Sequence, residues 1–395
     1  MSTEEKKAPS RKEALEAIMS RWAPAPGTET VPVPEALNRV AAQDMFAEYT
    51  LPVVRASAMD GIGVAAAAFQ KGIPDTSHWR PGREYARADT GDDFEDRFDA
   101  VIPVESVTFL PDGGVTIAPD TAVTAGLNVR PAGSSVKKGE QILPAGRRLR
   151  PFDLAALTLG GKVDVAVVKK PVVAFIPTGS ELVAPGTPPE RGQNIDSNSV
   201  MVRAMLEEMG AEPRLFPIVP DDPAALRAAL ERAVPVSDIV LICGGSSKGG
   251  EDFNADIVSS MGEYILHGVA SAPGRPMCAA MLAGKPLINV PGPPFAAYFV
   301  LDWCVSALVA RFLGAEPPAR KTVRARLTKD VGPTPGMEIL RRLEVRRSAD
   351  GFEATPVGGR GGCTFRTLTA SGQTVTDGGG TGHAAGDVIE VEYLR

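Results

Sequence analysis

The chain has 395 residues, 44% of them hydrophobic and 23% charged, a soluble globular composition long enough for about two to four domains with sizeable cores. A formal net charge of −6 argues against a nucleic-acid-binding protein. The basic pairs Lys137–Lys138, Arg147–Arg148 and Lys169–Lys170 read as solvated faces, although each suits a small anion. Four widely spaced cysteines (Cys243, Cys278, Cys304, Cys363) contain no CxxC pair, which points away from a zinc site or disulfide framework and towards a reducing cytoplasm. With three histidines in all, carboxylate, backbone and Lys/Arg chemistry is the expectation. The N-terminus MSTEEKKAPSRKEAL lacks the apolar core of a signal peptide, and no segment reads as approaching the roughly 20 apolar residues of a membrane span.

In chain order, Ser10 and Glu13 form a capping box ahead of Leu15, Ile18, Met19 and Trp22 at helical spacing. Prolines 24, 26, 32 and 34 then break the pattern, and PEALNRVAAQDMF predicts a short helix. From about 50 to 145, short apolar runs separated by Gly, Pro and Asp predict an irregular β-rich part. Near 171 the text changes: VVAFIPTGSEL, NSVMVRAMLEEMG, RLFPIV, PAALRAALERAV and DIVLICGG alternate strand with helix, which predicts a parallel sheet covered by helices. Gly210 marks a helix end, and Asp222 followed by Pro223 marks a helix start. MCAAML-AGK-PLINV predicts a hairpin, PGPPFAAYFVLDWCVSALVARFLG one long apolar helix, and the strand-like runs after about 320 a small all-β terminal domain.

Ligands of open α/β sheets sit outside the carboxyl ends of the strands. Three loops leave such ends here: PTGSEL with Thr178 and Glu181, PDD with Asp222, and CGGSSKGGEDF. Each brings an acid or small residues, the equipment for Mg²⁺ and phosphate. Gly244 and Gly245 permit close backbone approach to a ligand, and Ser246, Ser247 and Lys248 add donors, yet neither GxxxxGK[ST] nor GxGxxG fits the run. At Asp252 two readings stand open, a helix cap and a metal ligand. Arg275 in SAPGRPM, and Pro291 with Pro294 in the rigid turn ahead of the long helix, are further candidates for meeting an anion at this sheet.

SAMDG (57–61), TG (90–91), NVRPAGSSVKKGEQILPAGRRL (128–149), VVAFIPTGSEL, GQNIDSNSVM, VPDD, ICGGSSKGGEDF, HGVASAPGRP and NVPGPP occur in the order found in molybdopterin molybdotransferases. The chain resembles the bacterial MoeA and gephyrin E-domain family over nearly its whole length. That resemblance implies a multidomain α/β protein: an elongated N-terminal α+β part (1–50 and 140–170), an inserted β-rich domain (51–139), a MogA-like molybdopterin-binding parallel α/β domain (171–316) and a C-terminal β-barrel (320–395). It further implies a cytoplasmic homodimer whose cleft joins the sheet domain of one subunit to the SAMDG-bearing domain of the other. The implied reaction is Mg²⁺-dependent insertion of molybdenum, from molybdate, into adenylylated molybdopterin with release of AMP.

Carried over by position, Asp60, Glu181, Asp222 and Asp252 match the family's acidic residues. All four are implied metal ligands, with Asp60, Glu181 and Asp252 also catalytic. Thr90 and Arg130 match positions near nucleotide and oxyanion, and the planar fork of Arg130 suits a tetrahedral anion. Thr178, Gly244 to Lys248, Arg275, Pro291 and Pro294 complete the implied substrate set. The chain also departs from the pattern. RxxGED is here Arg130-Pro-Ala-Gly133-Ser134-Ser135, and TGDEL is TGSEL with Ser180. KPGKP is Ala272-Pro-Gly-Arg275-Pro, PGNPVS is PGPPFA with Pro293 and Ala296, and GGVSVG is GGSSKGG with Lys248. Three acids lost, one cation lost and Lys248 gained raise the local charge by about three if all line one cleft. Two alternatives therefore stand beside the molybdotransferase, which itself leaves molybdenum or tungsten open: a non-catalytic molybdopterin or cofactor-binding paralogue, and a molybdopterin adenylyltransferase.

Overall fold

A computed structural model describes residues 8–244, 253–358, 368–376, 379–380 and 382–394. The chain divides into two compact units, Met1–Glu29 with Val168–Arg395, and Thr30–Val167.

The larger unit opens with the helix Arg11–Met19. Ser10 caps it: the Glu13 amide donates to Ser10 Oγ at 3.2 Å, and the Ser10 amide donates to Glu13 Oε2 at 2.7 Å. Ala14 and Ile18, four apart, form its buried stripe, and Trp22 just past its end is buried too. The alternating segment follows as β1 (Val172–Pro177), α1 (Asn198–Met209), β2 (Glu212–Leu215), α2 (Pro223–Ala233), β3 (Ile239–Cys243), α3 (Phe253–Met261), β4 (Glu263–His267), β5 (Cys278–Leu282) and β6 (Lys285–Val290). These strands make one six-stranded sheet in the order β2-β1-β3-β6-β5-β4. The pairs β1–β2, β1–β3 and β3–β6 are parallel, while β5 runs antiparallel to both β6 and β4. Continuous apolar runs such as IVLIC are what a parallel strand buried on both faces requires, and all five residues of β3 are buried. One face carries Ile176, Val240, Ile242 and Leu287 against Leu226 and Leu230 of α2 and Ile257 and Val258 of α3. The expected hairpin is β5–β6, closed by Ala283 and Gly284, both with positive φ.

Helix α4 (Pro294–Leu313) passes through a π-helical stretch at Leu301–Val305. By length and composition it could cross a membrane, which corrects the expectation that no segment comes near a span; 67% of its most apolar window is buried inside the fold. After it come β7 (Thr322–Leu327), β8 (Glu338–Ser348), β9 (Gly351–Pro356), β10 (Gly372–Thr376) and β11 (Val388–Tyr393). The order β8-β9-β7-β11-β10, with β10 pairing back onto β8, closes a five-stranded barrel around Leu327, Leu343, Ala354 and Val391. A polar network joins α4 to this barrel: Arg320 bonds Asp302, and Gln373 Nε2 donates to Asp302 Oδ2 at 3.2 Å and to Glu392 Oε2 at 3.1 Å.

In the smaller unit, Gly61–Val64 lies between Tyr85–Ala88 and Ala100–Pro103 in an antiparallel three-stranded sheet over Ile62, Val64, Tyr85 and Ile102. The helix expected at residues 34–46 is absent. Only a 3₁₀ turn forms at Val33–Glu35, Asn38 takes φ +63°, and Val40 and Ala41 bridge to Arg148 and Val167 as extended chain. The apolar residues there satisfy strand partners, and a left-handed residue ends any helix.

Candidate active site

Two loops diverge at the carboxyl end of the large unit's parallel strands. The chain leaving β1 returns through α1 to β2 on one side, whereas the chain leaving β3 goes through α3 to β4 at the far edge. The crevice between β1 and β3 is thus the switch point at which such sheets bind ligands. The Thr178 amide and hydroxyl both donate to the Cys243 carbonyl at 3.0 Å, and the Gly244 amide donates to the Val290 carbonyl at 3.1 Å. Gly244 has φ +112°, and a Cβ there would lie 2.7 Å from the Thr178 carbonyl oxygen, so glycine is required. Thr178 is buried and supports this turn rather than facing outward.

Ser180 and Asp221 lock the two neighbouring loops together. The Ser180 amide donates to Asp221 Oδ2 at 2.9 Å, and the Asp221 amide donates to Ser180 Oγ at 2.9 Å. An acid at 180 would place a second carboxylate against Asp221, so the serine suits this arrangement. Glu181 is exposed, with its carboxylate folded back beside Gly179, where a Cβ would come within 2.5 Å of Oε2. Asp222 caps α2, its Oδ1 accepting from the Ala225 amide at 2.7 Å. One oxygen of that carboxylate is therefore committed to the helix.

Behind the rim sit three residues that fall within the runs GQNIDSNSVM and NVPGPP but not among the expected site residues. Asp196 is buried and accepts from the Ser199 amide at 3.0 Å and from its hydroxyl. Asn198 Nδ2 donates to Cys243 Sγ at 3.0 Å and to the Gly292 carbonyl at 2.7 Å, bracing the β3 end against the turn after β6. Among the described residues its Oδ1 is buried without a hydrogen-bond partner, as are both amide atoms of Asn289 in β6. Each unpaired buried polar atom costs roughly 1–3 kcal/mol. The sequence signal was a lone amide inside the apolar run PLINV. The Cys243 thiol is pushed up to about 12 by burial, opposed by the Asn198 bond and aided by Asp196, so it stays protonated.

Pro291 is buried and Pro294 occupies the first position of α4, where its missing N–H costs nothing. Arg275 is exposed just ahead of β5, which starts where antiparallel β6 ends, so it lies at the same edge of the sheet as the switch-point loops. Gly245, Ser246, Ser247, Lys248 and Asp252 lie outside the described residues.

The smaller unit gathers the other three predicted residues. Because Gly61 pairs with both Ala88 and Pro103, Asp60 arrives beside the turn after Ala88, and the Thr90 amide donates to Asp60 Oδ1 at 2.6 Å. That amide, then the Thr90 hydroxyl, holds the exposed Asp60 carboxyl below the usual carboxylate range. Ala56 pairs with Arg130, and the Ser57 carbonyl accepts from the Gly91 amide at 2.9 Å and from Arg130 Nη2 at 3.5 Å. An ionised acid and a guanidinium are thus both tied to the SAMDG and TG turns.

Among the described residues no group of three or more His, Cys, Asp or Glu side chains is assembled as a metal site. The available donors are hard carboxylate oxygens, exposed on Asp60 and Glu181. They fit Mg²⁺, which takes one or two carboxylates and completes its shell with water and substrate phosphate.

Fold and site define a multidomain α/β protein with a MogA-like sheet domain and a closed C-terminal barrel. Family models match twice: "MoeA N-terminal region (domain I and II)" over residues 9–161 and "Probable molybdopterin binding domain" over residues 174–311. The molybdopterin molybdenumtransferase of Haemophilus influenzae is 30% identical over 299 residues, covering 73% of each chain. That of Staphylococcus aureus strain COL is 27% identical over 398 residues, covering 96% of this chain and 94% of the relative. The crystal structure of the molybdopterin biosynthesis moeA protein of Pyrococcus horikoshii OT3 superposes with a TM-score of 0.81 at 26% identity, covering 98% of this chain and 100% of the other. The chain belongs to the molybdopterin molybdenumtransferase family and is a transferase of molybdenum cofactor biosynthesis.

Proposed function

We propose that the protein inserts molybdenum, taken from molybdate, into adenylylated molybdopterin with release of AMP, in a Mg²⁺-dependent reaction. The observation that carries this reading is the Asp60–Thr90–Arg130 arrangement: a carboxylate held ionised by a backbone amide, with a guanidinium anchored on the same pair of turns. Arg130 binds the oxyanion through its paired donors. Asp60 and Glu181 are the exposed carboxylates that would offer oxygens to Mg²⁺, and Asp222 has a second oxygen outside its helix cap. The chemistry such an ion would supply is neutralisation of phosphate charge. Thr178 and Gly244 shape the backbone cradle, and Arg275, Pro291 and Pro294 border it. The four-domain division (1–50 with 140–170, 51–139, 171–316, 320–395) and a cytoplasmic homodimer belong to the same reading, as the family resemblance implies them.

A second reading, ligand binding without turnover, is favoured by Ala272 and Pro293, which offer no charge and no side-chain donor where the family pattern has Lys and Asn. One experiment separates the two. Purified protein incubated with adenylylated molybdopterin, Mg²⁺ and molybdate releases AMP and loads metal, and Asp60→Ala lowers the rate on the order of 100-fold. Tight binding with no AMP release establishes the second reading. Undiminished release by Asp60→Ala refutes the role given to that acid.

A further inference from the structure

We propose that Asn289 is a specificity-determining residue, whose buried carboxamide hydrogen-bonds a heterocycle edge that presents a donor beside an acceptor. It is the penultimate residue of β6, one position before Val290, whose carbonyl anchors the Gly244 turn. In register it faces Ile242 of β3 and Cys278 of β5, so its side chain shares the sheet face that carries Ile242. Its nearest apolar neighbours on that face are Ile176, Val240 and Leu287 from the sheet and Ile257 and Val258 from α3, while His267 of β4 lies opposite Cys278 in the same row. The residue is 2% exposed, and among the described residues neither Oδ1 nor Nδ2 has a hydrogen-bond partner.

A branched aliphatic side chain of similar size would fill this position without leaving polar atoms unpaired. An asparagine that weakens the empty fold is explained when its two atoms are satisfied by a ligand, and sites that trade stability for binding are common. Its neighbourhood agrees. Asn198, across the rim at Cys243, carries the other unpaired buried amide oxygen at this end of the sheet. A planar amide offers one donor side and one acceptor side, which matches the lactam edge of a pterin and the aminopyrimidine edge of adenine alike. Adenylylated molybdopterin contains both, so the inference rests on the reading of function given above.

The test measures ligand-free thermal unfolding and binding affinity on the full chain, as wild type, Asn289→Leu and Asn289→Val. Three probes are titrated separately: adenylylated molybdopterin, molybdopterin and AMP. Both variants are expected to melt at or above the wild-type temperature while binding adenylylated molybdopterin at least about tenfold more weakly, the scale of one good hydrogen bond. A loss repeated with molybdopterin and absent with AMP assigns the contact to the pterin, and the opposite pattern assigns it to adenine. Wild-type affinity in both variants overturns the inference. So does a lowered melting temperature in both, because the amide would then be holding the empty fold together. Wild type that binds none of the three probes overturns the functional reading as well.

Discussion

At the carboxyl end of the parallel strands, behind the exposed acids Glu181 and Asp222, lies a layer of neutral buried groups: Thr178 on the Cys243 carbonyl, Asn198 between Cys243 and Gly292, and Asn289 with no partner among the described residues. Around Ser57 in the smaller unit the polar groups are charged and exposed, with backbone bonds of 2.6 Å to Asp60 and 3.5 Å to Arg130. The first kind of region selects by shape and hydrogen-bond pattern, since a buried amide left unpaired by the wrong ligand is costly. The second acts by charge, since solvent-facing carboxylate and guanidinium groups keep their ionised forms and can exchange partners. On the proposed function, a transferase that recognises a molybdopterin-related substrate and also takes an oxyanion has a use for both.

The sharpest way to break this division is Gly61→Ala. A Cβ at 61 would lie 1.9 Å from the Ile102 carbonyl oxygen, so the strand carrying Asp60 must shift. We expect about 3 kcal/mol of destabilisation, with loss of activity, read by denaturant unfolding and AMP release. Ligand affinity measured at the parallel-sheet end of whatever protein remains folded should change far less. Equal loss of both would mean that the two regions do not act separately.

Much of this architecture was legible in the sequence because burial writes itself as periodicity. The alternation from Val172 to Cys243, the Ser10–Glu13 cap, the β5–β6 hairpin and the Asp222 cap each follow from local pattern. The helix expected at 34–46 failed because its apolar residues serve as strand partners to Arg148 and Val167, more than 100 residues away, and no local signal carries that distance. Strand β10 (Gly372–Thr376) was not singled out either, since GQTVT has few apolar residues and owes its strand to β8 and β11 on either side. In the site, motif order picked Asp60, Thr90 and Arg130, which the fold brings to adjoining turns. The buried amides Asn198 and Asn289 lie within the quoted runs GQNIDSNSVM and NVPGPP, but motif order does not tell a buried amide from an exposed one, and only the fold does.

Asp222 tests the acidic rim of the parallel-sheet end next. Removing its cap in Asp222→Ala should cost about 1 kcal/mol, and Asp222→Ser should recover most of that because serine also caps. If the carboxylate additionally supports Mg²⁺, Asp222→Ser should remain slow and should need more Mg²⁺ for half-maximal rate. A serine variant with wild-type Mg²⁺ dependence would confine Asp222 to the helix.

The smallest effect concerns the charged end and has a definite sign. The bonds from Thr90 to the Asp60 carboxylate favour its ionised form, so its folded-state pKa lies below the unfolded value. A depressed carboxyl contributes stability above the unfolded pKa and loses it as pH falls through the folded one. Full exposure makes that contribution slight, and the useful readout is the titration itself. Thr90→Val removes the hydroxyl and leaves the amide, which is the larger cause, so the Asp60 carboxyl-carbon shift followed by NMR should titrate only part of the way back towards 3.8. A complete return would mean that the hydroxyl, and not the backbone of the TG turn, keeps this acid ionised, and the turn would then matter for its side chain more than for its shape.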